Sequence, residues 1–260
     1  MPFCSTDGLR YFQFDQLSRP EITHGIFTRH GGVSPVPWAT LNVGGTVGDR
    51  PARVKENQRR LLAALGRRPE SLHEVWQVHS AQYVVADEPR GEAPLAQADI
   101  LLTREPAVTL LMRFADCVPL MLFDPGIPAI ALAHAGWLGT LRRTTAAAVR
   151  AMVKEFGSQP SRLIACLGPS IGPDHYEIGE DVASAFRDQW GEAAQTFMHS
   201  QDGRVHLDLW AANRALLAGE GVVTIESAAI CTACHLEDWY SHRAEAGRTG
   251  RFGAAIALRG

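Results

Sequence analysis

Short apolar runs separated by turn-forming residues recur along this chain. The clearest pair is residues 118–123 and 129–133, which are separated by the sequence DPGIP. Asp, Pro and Gly favour tight turns, so this segment predicts two strands joined as a hairpin. Asp116 and Cys117 precede the first run, and His134 follows the second. A hairpin would bring the thiol and the imidazole to the same end of a sheet, within reach of one metal ion or one proton.

Other segments have strand or helix periodicity. Further strands are predicted for residues 22–28, 73–79, 83–86, 98–103, 108–114, 162–167, 222–225 and 253–258. Apolar residues at helical spacing predict helices over residues 51–65, 140–156, 180–190 and 207–217. A glycine follows the first two of these helices directly, and Gly219 stops the last.

The composition excludes several classes of protein. The 260 residues are 46% hydrophobic and 20% charged, which suffices for a large core and argues against disorder. We found no repeat, low-complexity segment or composition shift, so we expect one domain over residues 1–260. The net charge of −3 shows no basic excess, so nucleic acid is not an expected partner.

The thiol content and the N-terminal sequence indicate a compartment. The segment MPFCSTDGLRYFQF has no apolar core of a signal peptide, and no apolar run is long enough to cross a bilayer. Five cysteines, an odd number, favour reduced thiols over a disulfide framework. We therefore expect a cytoplasmic protein with no membrane partner.

Three further residues are candidates for chemistry, each with a structural alternative, and one helix start is a candidate for anion binding. His79 ends a predicted strand and is either a structural histidine or a partner of Cys117 and His134. Arg29, before Gly31 and Gly32, is either an anion-binding fork or part of a surface salt bridge. Asp116 adjoins Cys117, but strand alternation favours a supporting role for it at least as much as a catalytic one. The start of the helix after His134 presents free N–H groups, which suit an anionic ligand.

The sequence CTACH at residues 231–235 matches the C-x-x-C-H pattern of haem attachment. Covalent haem attachment requires export, and no export signal is recognisable. No second pair of zinc ligands follows it in the sequence. We therefore interpret the motif as a chance occurrence in a loop.

Seven motifs, in order, resemble the bacterial laccase-domain family: GGVSPVPWATLNVGGTVGD, WQVHS, ADCVPL, AHAGW, CLGPSIGPDHYEIG, YSHR and RTGR. Members of that family have been labelled polyphenol oxidases, peptidoglycan editing factors and zinc-dependent purine nucleoside phosphorylases with adenosine deaminase activity. The resemblance implies a metal held by His79, Cys117 and His134. With the apolar pattern it implies an α+β fold, with mixed β-sheets flanked by helices in a layered α/β sandwich and a single compact domain.

The sequence departs from the family pattern at four positions. One is near Thr46, where the family's loop motif usually carries a histidine. Leu138 stands where the family has an arginine after AHAGW, which removes one possible anion contact. Arg142 or Arg143, one turn further along, is a candidate replacement. His242 and Ala244 replace the tyrosine and the second arginine of the family's YSYRR motif.

The resemblance implies a zinc-dependent purine nucleoside phosphorylase that also deaminates adenosine. Its expected partners are a purine nucleoside and phosphate, and its oligomeric state is open between monomer and dimer. Two imidazoles and a thiolate suit a catalytic Zn2+ with an open fourth position. The expected catalytic residues are His79, Cys117, His134, Arg29 and Asp116.

Two other functions stay open. A Cu2+-dependent polyphenol oxidase is the first, although the ten histidines include no His-x-His pair of the kind that multicopper oxidases use. A metal-free Cys-His hydrolase or peptidoglycan-precursor editing factor is the second, because Cys117, His134 and a carboxylate would form a nucleophilic set.

Overall fold

The computed structural model describes residues 3–260, which form two six-stranded sheets and one three-stranded sheet. The strands are β1 Phe3–Thr6, β2 Leu9–Phe12, β3 Ile22–Phe27, β4 Leu72–His73, β5 Tyr83–Val85, β6 Ile100–Thr103, β7 Thr109–Phe114, β8 Val118–Asp124, β9 Ala129–Ala135, β10 Ile164–Leu167, β11 Glu177–Ile178, β12 Met198–Gln201, β13 Arg204–Leu207, β14 Thr224–Ser227 and β15 Phe252–Leu258. The helices are α1 Pro51–Ala64, α2 Trp137–Leu141, α3 Thr144–Phe156, α4 Glu180–Trp190 and α5 Leu209–Gly219.

The sheets are mixed. The first has the order β1-β2-β3-β15-β7-β4, the second β14-β10-β8-β9-β6-β5 and the third β11-β13-β12. Most neighbours are antiparallel, and the parallel pairs are β4 with β7, β5 with β6 and β10 with β14. This architecture confirms the predicted α+β fold class with mixed sheets and flanking helices.

Alternation along β8 shows how the layers pack. Leu120 and Leu122 are buried in the cluster that includes residues of α3 and α5. Met121 and Phe123 point the other way, into a cluster with residues of β7 and β15 in the first sheet. The opposite face of the first sheet is covered by apolar residues of α1. The layers therefore run from α1 through the two six-stranded sheets to α3 and α5.

The predicted hairpin is confirmed. Strands β8 and β9 are antiparallel, with Val118 opposite Ala135 and Pro119 opposite His134. The Asp124 carboxylate accepts the backbone N–H groups of Gly126 and Ile127, which closes the turn between the strands. The register places Cys117, just before β8, at the same end of the hairpin as His134.

The predicted strand over residues 73–79 is wrong for most of its length, because β4 ends at His73. The Gln77 side chain takes the place of a strand partner beyond that point. Its Nε2 donates to the Arg113 carbonyl at 2.8 Å, and its Oε1 accepts the Arg113 N–H at 2.9 Å. Beyond His73 the segment leaves this sheet, and Trp76 instead forms an isolated parallel bridge with Gln97.

The predicted helix over residues 140–156 is divided into α2 and α3. Arg143 lies between them with a left-handed φ of 62°. The Thr144 hydroxyl donates to the carbonyls of Gly139 and Ser80, both at 2.8 Å, and holds the chain in this break. The helix that follows His134 is therefore only five residues long, and binding of an anion at its start stays a prediction.

Several smaller elements were not predicted. Strands β1 and β2 and the whole of the third sheet, β11 to β13, contain two to four residues each, too few to show a period in the sequence. None of the helices within residues 3–260 combines the length and the apolar character that a membrane span requires.

Candidate metal centre

Three side chains predicted to bind metal converge at the end of the hairpin. The ligand atoms of His79, Cys117 and His134 all lie within 4.8 Å of one another. His134 is buried near the end of β9, Cys117 is half-buried before β8, and His79 is exposed in the loop before β5. The two imidazole centroids are 4.9 Å apart. Three elements distant in the sequence thus contribute one donor each.

Asp99, just before β6, fixes the orientation of this group. Its Oδ1 lies 2.8 Å from Nδ1 of His134. Its Oδ2 accepts the N–H of Val78 at 3.1 Å, and the N–H and hydroxyl of Ser80 at 2.6 and 2.9 Å. One buried carboxylate therefore orients the His134 ring and holds both neighbours of His79.

Sequence reasoning missed Asp99 as a functional residue. The available signal was a single acidic residue at the start of the apolar run ADILLT, where a charge is costly unless it has a partner. Burial raises the pKa of Asp99, but hydrogen bonding to His134 and Ser80 and the charge of His134 outweigh it and lower the pKa to about 2. Asp99 is therefore a carboxylate at neutral pH.

The backbone of His79 has a left-handed φ of 57°. Its carbonyl accepts a hydrogen bond from Nη1 of Arg142 at 2.7 Å. Arg142, considered above as a replacement anion contact, thus holds the His79 loop. Arg143 lies with its guanidinium carbon 5.4 Å from the Trp190 ring centroid, and neither arginine lines the cavity described below.

The thiol and the buried imidazole perturb each other. Burial raises the pKa of Cys117, but the charge of His134 and hydrogen bonds with His134 and His79 outweigh it and lower the pKa to about 6. Burial lowers the pKa of His134, but the charge of Cys117 and hydrogen bonds with Asp99 and Cys117 outweigh it and raise the pKa to about 9. The charged form of each group therefore favours the charged form of the other.

Gly136 makes room for the thiolate. A Cβ at this position would lie 2.6 Å from Sγ of Cys117 and 3.5 Å from Cδ2 of His79. The glycine of the AHAGW motif is therefore required by the close approach of the backbone to two of the three ligands. Two nitrogens and one sulfur around this cradle match the donors that zinc prefers, so the residues fit a zinc ion.

A cavity of about 600 Å³ opens beside the three ligands, and its volume is typical of small-molecule sites. Its lining is mainly apolar, and Trp76 within it is 49% exposed. The lining residues are Gly44, Gly45, Thr46, Pro51, Val54, Lys55, Gln58, Glu74, Val75, Trp76, Gln77, His79, Leu95, Arg113, Ala115, Cys117, His134, His242 and Arg251.

Two arginines line this cavity, and they differ in their free donors. Arg113 donates to the carboxylate of Glu74 and to the carbonyls of Val43 and Val75. Arg251 donates from Nη1 to the carbonyls of Thr249 and Gly250. Among residues 3–260, neither Nε nor Nη2 of Arg251 has a hydrogen-bond acceptor. Arg251 therefore has donors to offer a ligand.

The structure places Arg29 away from the residues that line the cavity. Its Nε donates to the Ala39 carbonyl at 3.0 Å, and its Nη1 donates to the Leu236 carbonyl at 2.7 Å. Its guanidinium also lies 4.6 Å from the Tyr240 ring centroid. These contacts hold two loops together, and the contact of Arg29 with phosphate stays a prediction.

Both carboxylate oxygens of Asp116 are occupied. Oδ1 accepts the Thr232 hydroxyl at 2.7 Å, and Oδ2 accepts the Arg243 N–H at 2.6 Å. Its backbone φ of 82° is left-handed, and its side chain is buried. The geometry favours the supporting role for Asp116, as a carboxylate that anchors the C-terminal loops beside Cys117. Leu138 does not line the cavity either.

Known proteins are similar to this chain over most of its length. A family model described as multi-copper polyphenol oxidoreductase laccase matches residues 23–259. A protein named purine nucleoside phosphorylase from Deinococcus radiodurans is 42% identical over 237 residues, 91% of this chain and 89% of the relative. A protein of the same name from Bacteroides thetaiotaomicron is 33% identical over 264 residues, 97% of this chain and 98% of the relative.

Two crystal structures have the same fold. YlmD from Geobacillus stearothermophilus matches with a TM-score of 0.92 at 31% identity, over 100% of this chain and 99% of that one. The hypothetical protein YfiH from Bacillus licheniformis matches with a TM-score of 0.90 at 28% identity, over 99% of each chain. The arrangement of layers is therefore shared over the full length.

Proposed function

The chain belongs to the family described as multi-copper polyphenol oxidoreductase laccase, and we propose that it is a zinc-dependent purine nucleoside phosphorylase. The observation that carries this proposal is the group of His79, Cys117 and His134 at one wall of a cavity large enough for a nucleoside. The shared name of its relatives, purine nucleoside phosphorylase, supports an enzyme that takes a purine nucleoside and phosphate.

The three ligands have distinct tasks in this proposal. Cys117 contributes a thiolate, and His134, held at Nδ1 by Asp99, presents its Nε2. His79 completes the set from a loop that Asp99 and Arg142 hold in place. When bound there, zinc supplies a Lewis acid that polarises a substrate oxygen or a water molecule.

The apolar wall of the cavity is the proposed binding surface for the base. The exposed face of Trp76 offers a stacking surface for a purine, and Val54, Val75 and Leu95 add apolar contact. A purine is planar and largely apolar on its faces, so such a wall binds it without needing a hydrogen bond to every ring atom. This arrangement leaves the ribose and the glycosidic bond facing the polar side of the cavity.

Arg251 is the proposed contact for phosphate. Phosphorolysis forms a bond between a phosphate oxygen and ribose C1′ and breaks the bond from C1′ to the base nitrogen. The proton that this nitrogen gains is balanced by the one that hydrogen phosphate loses. The anion therefore needs a cationic donor beside the ribose. Arg251 is buried at its stem, where a Cβ on Gly44 would meet its Cγ at 2.7 Å, and its Nε and Nη2 remain available. Arg29, the contact predicted from sequence, is the second candidate.

We also propose deamination of adenosine at the same site. That reaction adds water oxygen to C6 of adenine and releases the 6-amino group as ammonia. Its requirements are a polarised water molecule and a base held against a wall, and both are part of the arrangement above. A single cavity thus serves two reactions of one nucleoside.

Polyphenol oxidation with copper is the second candidate function. The observation that favours it is the donor set itself, because two imidazoles and one thiolate also suit copper. The description of the family points the same way. The two proposals differ in the metal, in the need for phosphate and in the need for oxygen.

The test is elemental analysis of the purified protein, followed by assays on the same sample. Adenosine and inosine are supplied with and without phosphate, and free base, inosine and hypoxanthine are separated by chromatography. We expect about one zinc at this centre per chain and release of base that depends on phosphate. Cys117→Ser should lose the zinc of this centre and the phosphate-dependent release of base. Cys4→Ser, on the distant strand β1, should keep both.

Three outcomes would contradict the proposal. Copper together with oxygen-dependent oxidation of a phenol would favour the second candidate. Activity of a metal-free protein on an ester or a cell-wall precursor, abolished by Cys117→Ser, would favour the Cys-His hydrolase or editing factor. Base release by Cys117→Ser at the rate of the unsubstituted protein would remove the three ligands from the reaction.

A further inference from the structure

A second group of metal-ligating side chains lies outside the cavity. The ligand atoms of His175, Cys231 and Cys234 are all within 4.8 Å of one another. His175 belongs to the turn after Gly172, and the two cysteines belong to the CTACH motif, interpreted above as a chance occurrence. None of the three residues lines the cavity of the first centre.

The distances in this group are those of a shared tetrahedral ion. Nδ1 of His175 lies 3.8 Å from Sγ of Cys231 and 3.6 Å from Sγ of Cys234. Bonds of about 2.3 Å from zinc to sulfur and about 2.0 Å from zinc to nitrogen, at a tetrahedral angle, separate the two ligands by about 3.5 Å. A single ring nitrogen that faces two sulfurs at this separation is explained by an ion between them.

The local backbone holds Cys231 ready for this role. Cys231 forms a parallel bridge with Ser170, and its sulfur accepts the N–H of Gly172 at 3.2 Å. This contact fixes the position of the Cys231 sulfur beside the turn that carries His175. A Cβ on Gly172 would lie 3.0 Å from Cβ and 3.2 Å from Sγ of Cys231, so a glycine is needed for the two turns to come together.

The ligand types indicate which metal fits. Two thiolates and one imidazole are soft to borderline donors, which select zinc over magnesium or calcium. The two cysteines have the C-x-x-C spacing of zinc sites, and the histidine replaces the downstream ligand pair that the sequence lacks. His175 and Cys234 are exposed, so an ion has access and the fourth position is open to water.

We propose that His175, Cys231 and Cys234 form a second zinc site, separate from the first centre. This site joins two turns that also meet at Asp116. The Thr232 hydroxyl donates to Oδ1 of Asp116 at 2.7 Å, and the Ile171 N–H donates to its carbonyl at 2.9 Å. Zinc at this site would link the two loops that contact Asp116, the residue before Cys117. Its main effect is therefore on the folding stability of the protein.

The experiment compares zinc content across variants of the full chain prepared with a reducing agent that does not bind metal. After loading with zinc chloride and removal of loosely bound ion, we expect about two zinc ions per chain in the unsubstituted protein. Cys117→Ala and Cys234→Ser should each retain about one, and the double variant should retain none. Cys4→Ser, a thiol outside both groups, is the matched control and should retain both.

A second measurement keeps the result separate from the first centre. In the Cys117→Ala background, Co2+ should produce thiolate-to-metal absorption in the near ultraviolet, and zinc should raise the melting temperature in a concentration-dependent way. Both effects should disappear in Cys117→Ala/Cys234→Ser and in Cys117→Ala/His175→Ala.

The proposal is overturned if Cys117→Ala binds no zinc, or if adding Cys234→Ser leaves its zinc content and cobalt spectrum unchanged. A disulfide between Cys231 and Cys234 that persists in the reduced preparation would also overturn it. Failure of phosphorolysis in the unsubstituted protein would leave these results as they are, because none of them depends on activity.

Discussion

The carboxylate Oδ1 of Asp99 lies 2.8 Å from Nδ1 of His134, and the same side chain holds the loop of His79 through its other oxygen. Two of the three candidate ligands therefore depend on one buried acid. Its bond to Nδ1 leaves Nε2 of His134 as the nitrogen that faces the other ligands.

Replacing Asp99 by Asn should weaken metal binding without unfolding the protein. Asn has the same shape but lacks the charge, so it holds the imidazole less firmly and makes it a poorer ligand. We expect zinc affinity at this centre to fall about 10- to 100-fold, measured by competition with a chelating dye. Asp124→Asn removes a buried carboxylate at the far end of the same hairpin and should leave the affinity unchanged. Equal affinity in Asp99→Asn and the unsubstituted protein would show that the pair does not support the metal.

Replacing Gly136 by Ala should disrupt the same centre by steric contact. The new Cβ would lie 2.6 Å from Sγ of Cys117, a distance that requires the thiolate to move. We expect loss of the zinc of this centre, but not of the zinc proposed at the second site, and loss of base release, measured by elemental analysis and by the nucleoside assay. Gly219→Ala, at the end of α5 with no atom within 4 Å of its Cβ, is the matched control. Full zinc content in Gly136→Ala would mean that Cys117 is not a ligand in this position.

Replacing Arg251 by Ala should impair the use of phosphate more than binding of the nucleoside. A charge-assisted hydrogen bond contributes about 1.5 to 3 kcal/mol, so we expect KM for phosphate to rise about 10- to 100-fold. Deamination of adenosine, which uses no phosphate, should change much less. Arg29→Ala is the comparison, with a melting curve to detect loss of its loop contacts. A larger effect of Arg29→Ala on KM for phosphate would return that role to Arg29.

Replacing Trp76 by Ala should weaken binding of the base. The indole is 49% exposed at the cavity, and an aromatic stacking contact is worth about 1 kcal/mol beyond its buried area. We expect KM for inosine to rise about tenfold with a smaller change in kcat. Trp76→Phe retains a stacking face and should restore most of the affinity. Equal KM values for the Ala variant and the unsubstituted protein would place the base elsewhere.

Stability should fall with acid because of His24, which is buried on β3 and accepts the Phe14 N–H through Nε2 at 2.9 Å. Burial, and to a lesser extent the charge of Arg259, lower its pKa from 6.5 to about 4. Between pH 6.5 and about pH 4, the His24 side chain is protonated in the unfolded chain but neutral in the folded protein. The free energy of unfolding should therefore decrease as pH falls through this window, by at most about 3 kcal/mol.

The control for this effect is His24→Gln, whose side-chain oxygen still accepts the Phe14 N–H but does not titrate in this window. Denaturant unfolding at several pH values measures both proteins. The difference in unfolding free energy between them should narrow as pH falls from about 6.5 to about 4. A constant difference over that interval would show that His24 is not responsible.

The sequence by itself determined the central hairpin, because DPGIP between two apolar runs permits few other structures. It also identified the three candidate ligands, since each belongs to a motif that resembles the family now shown for the chain. Local periodicity was sufficient for α1, α4 and α5 as well. These features depend on residues that are close in the sequence, and the order of apolar, polar and turn-forming residues predicts structure at that short range.

Only the tertiary structure revealed the partners of those residues. Asp99 lies 35 positions before His134, and His175 lies 56 positions before Cys231, so no spacing rule connects either pair. The break at Arg143 and the end of β4 depend on side-chain bonds from Thr144 and Gln77 to distant backbone. A hydrogen bond or a shared ion can join any two segments that folding brings together, and the chain order does not record which ones those are.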